Sequence, residues 1–241
     1  MANTYVLVHG AWHGGWCWTA VIKRLREAGH TVYAPTLVGH GPDEERAGIT
    51  QDACVSFLVH YIEERDLQNV ILVGHSWGGT VLCGAAPRLI HRLRHLIFWS
   101  AFVLEDGTSV FDSVPPHYGN LFRSLAARTS DNTVLLPWEM WRSGFMQDTD
   151  EQAARLAYQL LIPEPLNVFE AKLDQRAFFN LDIPKSFIRG LRDGIALPHE
   201  FWEQCQRRLG EHQLLEIDSS HEACFTHPIE LAETLMKASI Q

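Results

Sequence analysis

Residues 70–79 read Val70-Ile71-Leu72-Val73-Gly74-His75-Ser76-Trp77-Gly78-Gly79, and this stretch decides the fold. An apolar run followed by a serine between glycines predicts a strand that turns sharply into a helix over 80–88. Such a turn holds the Ser76 hydroxyl clear of the backbone at the mouth of a parallel sheet. Glycine at 74 and 78 avoids side chains that would crowd the turn. A tight turn without chemistry is the alternative, but the flanking strand and helix favour a catalytic serine.

Six short and nearly continuous apolar runs predict strands that are covered on both faces, as in a parallel sheet. They are Thr4–Val8, Thr31–Ala34, Val70–Val73, Leu96–Ser100, Ser186–Arg189 and Leu214–Ile217. Apolar residues recur at helical spacing between these runs, with Thr50 as a cap of one helix and Pro228 at the start of another. The alternation predicts the α/β class, with a doubly wound, mostly parallel sheet of about six strands.

The alternation stops between Glu105 and Asn180, where no strand is obvious. Helical segments separated by prolines are predicted around 121–128, 138–146, 151–161 and 166–175. Because ligands of open α/β sheets bind outside the carboxyl ends of the strands, an all-helical insertion here predicts a cap over that crevice. A packing extension with no role in binding is the alternative. We predict a core of residues 1–105 and 181–241 and a helical cap of residues 106–180.

The composition argues against two classes of binding partner. A net charge of −9 and the lack of a basic cluster argue against nucleic acid and against an anionic membrane surface. The five cysteines are odd in number and widely spaced, which favours a reducing compartment. We expect no targeting segment and a cytoplasmic location. A homodimer is compatible with the sequence, which does not fix the oligomeric state.

A serine hydroxyl is a weak nucleophile unless a base takes its proton. The best candidate for this base is His221, which follows the last predicted strand and so reaches the same sheet edge as Ser76. The chain contains thirteen histidines, so position and order must decide between a base and an ordinary solvated histidine.

A carboxylate should orient the base. Asp193 follows the fifth predicted strand and completes the order Ser, Asp, His that is expected for this type of sheet. An ordinary Asp-Gly turn is the alternative reading of residues 193–194. The rival candidates for the carboxylate that orients His221 are Glu105, Asp106 and Asp218.

Acyl transfer also needs donors for the developing oxyanion. The backbone N–H groups of Trp77 and of Ala11, in the loop after the first strand, are the candidates. That loop, His9-Gly10-Ala11-Trp12-His13-Gly14-Gly15, could instead hold a phosphate, but it lacks the GxGxxG spacing.

Aromatic residues dominate the expected pocket, as in many small-molecule sites. The candidates for substrate binding are Trp12, His75, Trp138, Trp141 and Phe145, with core packing as the alternative for each. We predict no cofactor and no metal. His9 with His13 lies in a glycine-rich loop, and His91 with His95 lacks the glutamate that a zinc hydrolase would need.

The chain resembles the α/β-hydrolase superfamily over nearly its whole length. Residues 6–18, 29–32, 70–79 and 100–102 are similar to the plant methylesterase and hydroxynitrile lyase branch and to its bacterial esterase relatives. The resemblance implies a Ser76, His221, Asp193 triad with Ala11 and Trp77 as oxyanion donors. The lyases of this branch carry a lysine directly after the catalytic histidine, whereas this chain has Glu222, which disfavours cyanide release.

These inferences predict a serine carboxylic-ester hydrolase that acts on a small or medium apolar, aromatic ester through an acyl-enzyme. Two alternatives stay open. One is C–C bond hydrolysis or cofactor-free dioxygenation on the same fold, and the other is a receptor-like protein that binds a small molecule.

Overall fold

The computed structural model describes residues 2–195, 197 and 200–239. Its strands are β1 (Thr4–Val8), β2 (Thr31–Tyr33), β3 (Val70–His75), β4 (Leu93–Trp99), β5 (Thr133–Val134), β6 (Glu164–Pro165), β7 (Lys185–Gly190) and β8 (Gln213–Ile217). All except β5 and β6 form one parallel sheet in the order β2-β1-β3-β4-β7-β8. The predicted α/β class and its six parallel strands are confirmed.

Helices connect and cover these strands. They are α1 (Thr19–Glu27), α2 (Gln51–Glu64), α3 (Gly78–Leu89), α4 (Val110–Ser113), α5 (Pro116–Ala126), α6 (Trp138–Met140), α7 (Glu151–Tyr158), α8 (Asn167–Glu170), α9 (Arg176–Phe179), α10 (Glu200–Leu209), α11 (Ala223–Thr226) and α12 (Pro228–Ala238). The predicted start signals are confirmed, because Thr50 Oγ1 accepts a 3.2 Å hydrogen bond from Ala53 N–H and Pro228 opens α12. None of the described helices is long and apolar enough to cross a lipid bilayer.

Alternate residues of each central strand face opposite layers of the molecule. On β1, Val6 and Val8 pack in the layer that contains α2 and α3. Tyr5 and Leu7 pack in the layer that contains α1 and α12. Both faces of the sheet are therefore buried, which is why its strands read as continuous apolar runs.

The strand order places β1 between β2 and β3. The chain passes from β1 to β2 on one side, and then crosses to the other side of β1, where it adds β3, β4, β7 and β8. Such a switch of direction opens a crevice at the carboxyl ends of the strands. The loop after β1 and the turn after β3 meet at this crevice, which positions the candidate site.

The inserted segment differs in one respect from the prediction. It contains α4 to α9, but β5 and β6 also pair antiparallel, with Thr133 opposite Pro165 and Val134 opposite Glu164. The expectation of an all-helical insertion was wrong because two-residue strands are too short to leave an alternating pattern. The predicted domain boundaries stay a prediction, and the core ranges include residues 1, 196, 198, 199, 240 and 241, which lie outside the described residues.

One predicted helix of the cap is shorter than expected. Helix α8 ends at Glu170, although the pattern predicted a helix to Gln175. The backbone of Leu173 instead pairs with Gly107 and Thr108, through N···O distances of 2.8 and 3.1 Å. These hydrogen bonds replace those of a further helical turn.

Candidate active site

Ser76 stands in the turn between β3 and α3, which begins at Gly78. Its φ of +53° lies in the left-handed region, which non-glycine residues rarely adopt. The loop after β1 crosses so close that a Cβ on Gly78 would lie 2.5 Å from the His9 carbonyl oxygen. The Ser76 carbonyl accepts a 2.9 Å hydrogen bond from Phe102 N–H. The backbone of Ser76 is therefore fixed from two sides.

His221 lies in the loop after β8 and is fully buried. Its Nδ1–H donates a 2.7 Å hydrogen bond to Asp193 Oδ2, in the loop after β7, and that carboxylate is also buried. Burial acts to lower the pKa of His221, but the charge and hydrogen bond of Asp193, with the charge of Glu222, raise it overall above its usual value. With its hydrogen on Nδ1, the ring keeps the Nε2 lone pair for accepting a proton.

The three rival carboxylates have other partners. Glu105 binds Arg208, with an O···N distance of 2.9 Å. Asp106 Oδ1 accepts a 2.9 Å hydrogen bond from the backbone N–H of Gln175. Asp218 binds Arg192 Nε at 2.8 Å. Asp193 is the carboxylate that the structure brings to His221.

His75 connects the nucleophile turn to the histidine loop. Burial holds the pKa of His75 well below its usual value, so its ring is neutral. Its Nε2–H donates a 3.1 Å hydrogen bond to the His221 carbonyl oxygen, and the two rings are 4.6 Å apart. His221 Nε2 has no hydrogen-bond partner among the described residues, so Ser76 and His221 are not hydrogen-bonded in this state. Catalytic hydrogen bonds often tighten only when substrate is bound.

The predicted oxyanion donors, Ala11 and Trp77, line one cavity together with Ser76. Among the described residues, neither of their backbone N–H groups has a hydrogen-bond acceptor. Free N–H groups beside a nucleophile can stabilise negative charge that develops on a substrate oxygen.

The cavity at Ser76 has a volume of about 210 Å³. Its described lining carries no charged side chain, and its polar side chains are the hydroxyls of Ser76, Tyr118 and Ser143. Eight of the nineteen described lining residues are aromatic: Trp12, Trp77, Phe102, Phe111, Tyr118, Phe122, Phe145 and Phe169. Such a chamber suits an uncharged, apolar ligand.

Only two of the five residues predicted to bind substrate, Trp12 and Phe145, line this cavity. His75 is buried against His221 instead. Trp141 is fully buried, and its Nε1–H donates a 2.9 Å hydrogen bond to the Ala154 carbonyl oxygen. Trp138 is half-buried and packs edge-on against Tyr158. These three residues do not line the cavity at Ser76, and a binding role for them stays a prediction.

Two polar residues that the sequence analysis did not identify, Glu164 and His40, contact the loop after β1. Glu164 on β6 is completely buried, and its Oε2 accepts a 2.6 Å hydrogen bond from Trp12 N–H. Its Oε1 lies 2.9 Å from Nε2 of His40, which is equally buried. The only sequence signal was a carboxylate within the apolar run Leu160-Leu161-Ile162-Pro163-Glu164-Pro165-Leu166.

Glu222 is a buried carboxylate next to His221. Its Oε2 lies 3.7 Å from His13 Nε2 and has no hydrogen-bond partner among the described residues. His75, His221 and Glu222 each offer one potential metal ligand, and these three atoms lie within 4.8 Å of one another. His75 uses Nε2 and His221 uses Nδ1 in the hydrogen bonds described above, whereas His75 Nδ1 and His221 Nε2 have no partner among the described residues. The charge of Glu222 favours the protonated form of His221.

Comparisons with known proteins identify the family of this chain. The model of the Alpha/beta hydrolase family matches residues 5–234. A protein of Nocardioides sp. (strain SG-4G), named carbendazim hydrolyzing esterase, is 44% identical over 117 residues, or 48% of each chain, so the match spans about half of that relative. Methylesterase 17 of Arabidopsis thaliana is 26% identical over 98% of this chain and 91% of its own.

A solved structure is also closely similar. It is an extracellular α/β-hydrolase from a Paenibacillus species, described as sharing structural and functional homology with tobacco salicylic acid binding protein 2. The two chains superpose with a TM-score of 0.94 at 32% sequence identity, and the match covers 98% of each. The match of the family model over nearly the whole chain, together with this superposition, shows that the chain belongs to the alpha/beta hydrolase family.

Proposed function

We propose that this protein is a serine hydrolase of carboxylic esters, with Ser76 as nucleophile, His221 as base and Asp193 as its partner. The 2.7 Å hydrogen bond between His221 and Asp193 carries the proposal. It fixes the tautomer in which Nε2 can take a proton, at the sheet edge where Ser76 lines the cavity.

The reaction follows from these groups. Ser76 Oγ attacks the ester carbonyl carbon while its proton passes to His221 Nε2. The backbone N–H groups of Ala11 and Trp77 bind the oxyanion, and each such donor is worth roughly 3 kcal/mol in the barrier. His221 then returns the proton to the leaving alkoxide, and an acyl-enzyme and an alcohol result. Water cleaves the acyl-enzyme with His221 again as base, which releases the acid and restores Ser76.

The cavity supports a small, uncharged and aromatic ester as the substrate. An apolar cavity of roughly 150 Å³ is enough to hold benzene, so about 210 Å³ accommodates one aromatic ring with a short acyl or alcohol group. The aromatic side chains of Trp12, Phe111, Phe122 and Phe169 pack against one another in edge-on and tilted arrangements. A cavity wall of this kind suits an aromatic ring of the substrate. The names of the Nocardioides and Arabidopsis relatives, an esterase and a methylesterase, support ester hydrolysis.

Hydrolysis of phenyl acetate and methyl benzoate by Ser76→Ala tests the proposal. We expect kcat to fall by roughly 10⁶-fold while the fold is retained. Ser143→Ala is the matched control, because it removes another hydroxyl from the same cavity wall and should keep near-normal rates. A Ser76→Ala variant that hydrolyses these esters at the normal rate would overturn the proposal.

Labelling by an aryl phosphonate tests the acyl-enzyme separately. We expect one equivalent to attach to Ser76, read by peptide mass spectrometry, and labelling to stop in Asp193→Asn. A protein that turns over substrate without phosphonate labelling would favour C–C bond cleavage or dioxygenation instead.

A small-molecule receptor is the second candidate function. The description of the Paenibacillus hydrolase as functionally homologous to a salicylic acid binding protein favours it. Calorimetric titration with salicylate separates the two functions, since tight binding without turnover of any ester in a panel supports a receptor.

A cytoplasmic location remains part of the proposal. All five cysteines are free and buried, as in proteins of reducing compartments. Fractionation of cells that express the native gene, with detection by antibody, tests it; recovery of the protein from the medium would contradict it.

A further inference from the structure

The cap holds the backbone of Trp12 in an unusual conformation. Its φ of +64° lies in the left-handed region, which is strained for a bulky residue. All three of its polar groups bind the cap. The N–H donates to Glu164 Oε2 at 2.6 Å, the carbonyl accepts from Ile162 N–H at 2.9 Å, and Nε1–H donates to the Val134 carbonyl at 2.9 Å. Trp12 directly follows Ala11, so these contacts also orient the peptide next to the Ala11 N–H.

Glu164 joins this backbone to His40. The carboxylate has no exposed surface, and His40 Nε2 lies 2.9 Å from its second oxygen. His40 Nδ1 lies 2.9 Å from the Val38 carbonyl oxygen, which can only accept. His40 Nδ1–H therefore donates to this carbonyl oxygen, and the contact between His40 Nε2 and Glu164 Oε1 is a buried hydrogen bond between the two side chains. Burial disfavours the charged ring, but the charge and hydrogen bond of Glu164 outweigh it and raise the pKa of His40.

His40 in turn packs on the residue after the nucleophile. Its ring stacks on the Trp77 indole, with centroids 5.2 Å apart and planes inclined by 20°. The Trp77 Nε1–H donates a 3.0 Å hydrogen bond to Gln51 Oε1, which also fixes the position of the indole. A single carboxylate of the cap thus contacts both backbone segments that present oxyanion donors, one directly and one through an aromatic ring.

We propose that Glu164 is a positioning residue that holds the Ala11 and Trp77 backbone N–H groups at the spacing needed to bind an oxyanion. This inference rests on the proposed function. The region of β5 and β6 is then a fixed part of the site, because its separation from the core would release the loop after β1. A carboxylate is suited to this role, since two oxygens on one rigid group set the distance between the two segments.

Glu164→Ala and Glu164→Gln, compared with Glu170→Ala, test the proposal. Glu170 is a matched control because it is an exposed carboxylate of the cap that pairs with Arg123. We expect Glu164→Ala to lower kcat for phenyl acetate by roughly tenfold to hundredfold with little change in KM, because the loss falls on the transition state. Glu164→Gln should recover most of this rate, since its amide oxygen can accept from Trp12 N–H and its NH₂ can donate to neutral His40.

Inhibitor binding separates positioning from a merely structural role. A benzyl trifluoromethyl ketone adds to the serine and places an oxyanion at the two N–H groups, whereas benzyl alcohol only fills the cavity. We expect the inhibition constant of the ketone to rise in Glu164→Ala by the same factor by which kcat falls, and that of the alcohol to stay unchanged. Equal weakening of both inhibitors would contradict the proposal.

Glu164→Ala leaves His40 Nε2 and the Trp12 N–H buried without a partner, so this variant can fail to fold. The double variant Glu164→Leu with His40→Phe removes both polar side chains and keeps an aromatic ring on Trp77. We expect this variant to fold, as judged by circular dichroism, and still to show the loss in kcat. Normal kcat and normal ketone inhibition in the folded double variant would overturn the positioning role. If Ser76→Ala were active, the proposed function itself would fail instead.

Discussion

The carboxylate of Asp148, in the cap, accepts a 2.7 Å hydrogen bond from the backbone N–H of Ser220, the residue before His221. The Asp148 side chain is almost completely buried, and His227 Nδ1 lies 3.5 Å from the same oxygen. The neighbouring Gln147 donates from Nε2 to the Arg192 carbonyl oxygen, next to Asp193. Two consecutive residues of the cap therefore bind the two loops that bring His221 and Asp193 together.

We expect Asp148→Ala to lower kcat/KM for phenyl acetate about tenfold, because the histidine loop loses its anchor and the Ser220 N–H is left unpaired at a cost of roughly 1–3 kcal/mol. Asp148→Asn should retain most of the rate, since the amide oxygen can still accept. Steady-state kinetics together with thermal unfolding check this. Asp174→Ala is the control, because it removes an exposed carboxylate that pairs with Arg176. Equal rates in Asp148→Ala and the control would refute the anchoring role.

Asp193→Asn should reduce kcat about 10⁴-fold, because an amide no longer enforces the tautomer that leaves Nε2 free. Glu105→Gln and Asp218→Asn serve as matched controls, since each removes a charge from a rival carboxylate that binds an arginine. Both should stay within a few-fold of the unaltered enzyme. If Asp193→Asn stayed active and one of the controls lost its activity, the carboxylate changed in that control would be the partner of His221, and the role of Asp193 would be refuted.

The pH profile should report His221. The base must be unprotonated, and its pKa lies above the usual 6.5 through Asp193 and Glu222 against the effect of burial. Activity should therefore fall as pH decreases through a value above 6.5. In Glu222→Gln, loss of the negative charge disfavours the protonated ring and lowers its pKa, so the acidic limb of kcat/KM should move to lower pH. Among the described residues, the other titratable groups that face His221 are His75 and, beyond Glu222, His13. An unshifted limb would contradict the effect of Glu222.

Gly78→Ala tests the close approach of the loop after β1 to the nucleophile turn. The added Cβ would lie 2.5 Å from the backbone oxygen of His9, which cannot move without displacing that loop. We expect a loss of at least about 2 kcal/mol in the free energy of unfolding in urea, together with loss of activity. Gly84→Ala on the same helix meets a side-chain methyl group of Val55 at 2.7 Å rather than a backbone atom of another segment. Its loss of stability should be smaller than that of Gly78→Ala, because a side chain shifts at lower cost than a backbone oxygen, and an equal loss in both variants would contradict the argument.

The sequence predicted the sheet well because its signal is local and repeated. Each central strand is buried on both faces, so it reads as an apolar run whatever its neighbours are. The triad candidates followed from the same placement, since Ser76, Asp193 and His221 each come directly after a strand. The residues that hold them left no comparable pattern. Glu164 contacts Trp12 across 152 positions of the chain, and no local spacing indicates such a pair.

The errors in the cap have a similar origin. An apolar or aromatic residue in an amphipathic segment faces the interior, but the sequence does not say whether the interior at that point is packed or open. Trp141 fills the packed part, while Phe145, four residues later, reaches the cavity. The β5–β6 pair depends on residues about 30 positions apart, as the register of Val134 with Glu164 illustrates.

The uncharged wall of the cavity has a consequence for the end of the catalytic cycle. Hydrolysis converts a neutral ester into an acid that ionises at neutral pH, and the described lining offers no cation to hold it. A carboxylate in an apolar chamber is unfavourable, so the acid should leave readily and inhibit the enzyme weakly. The alcohol, which stays neutral, should be the stronger product inhibitor.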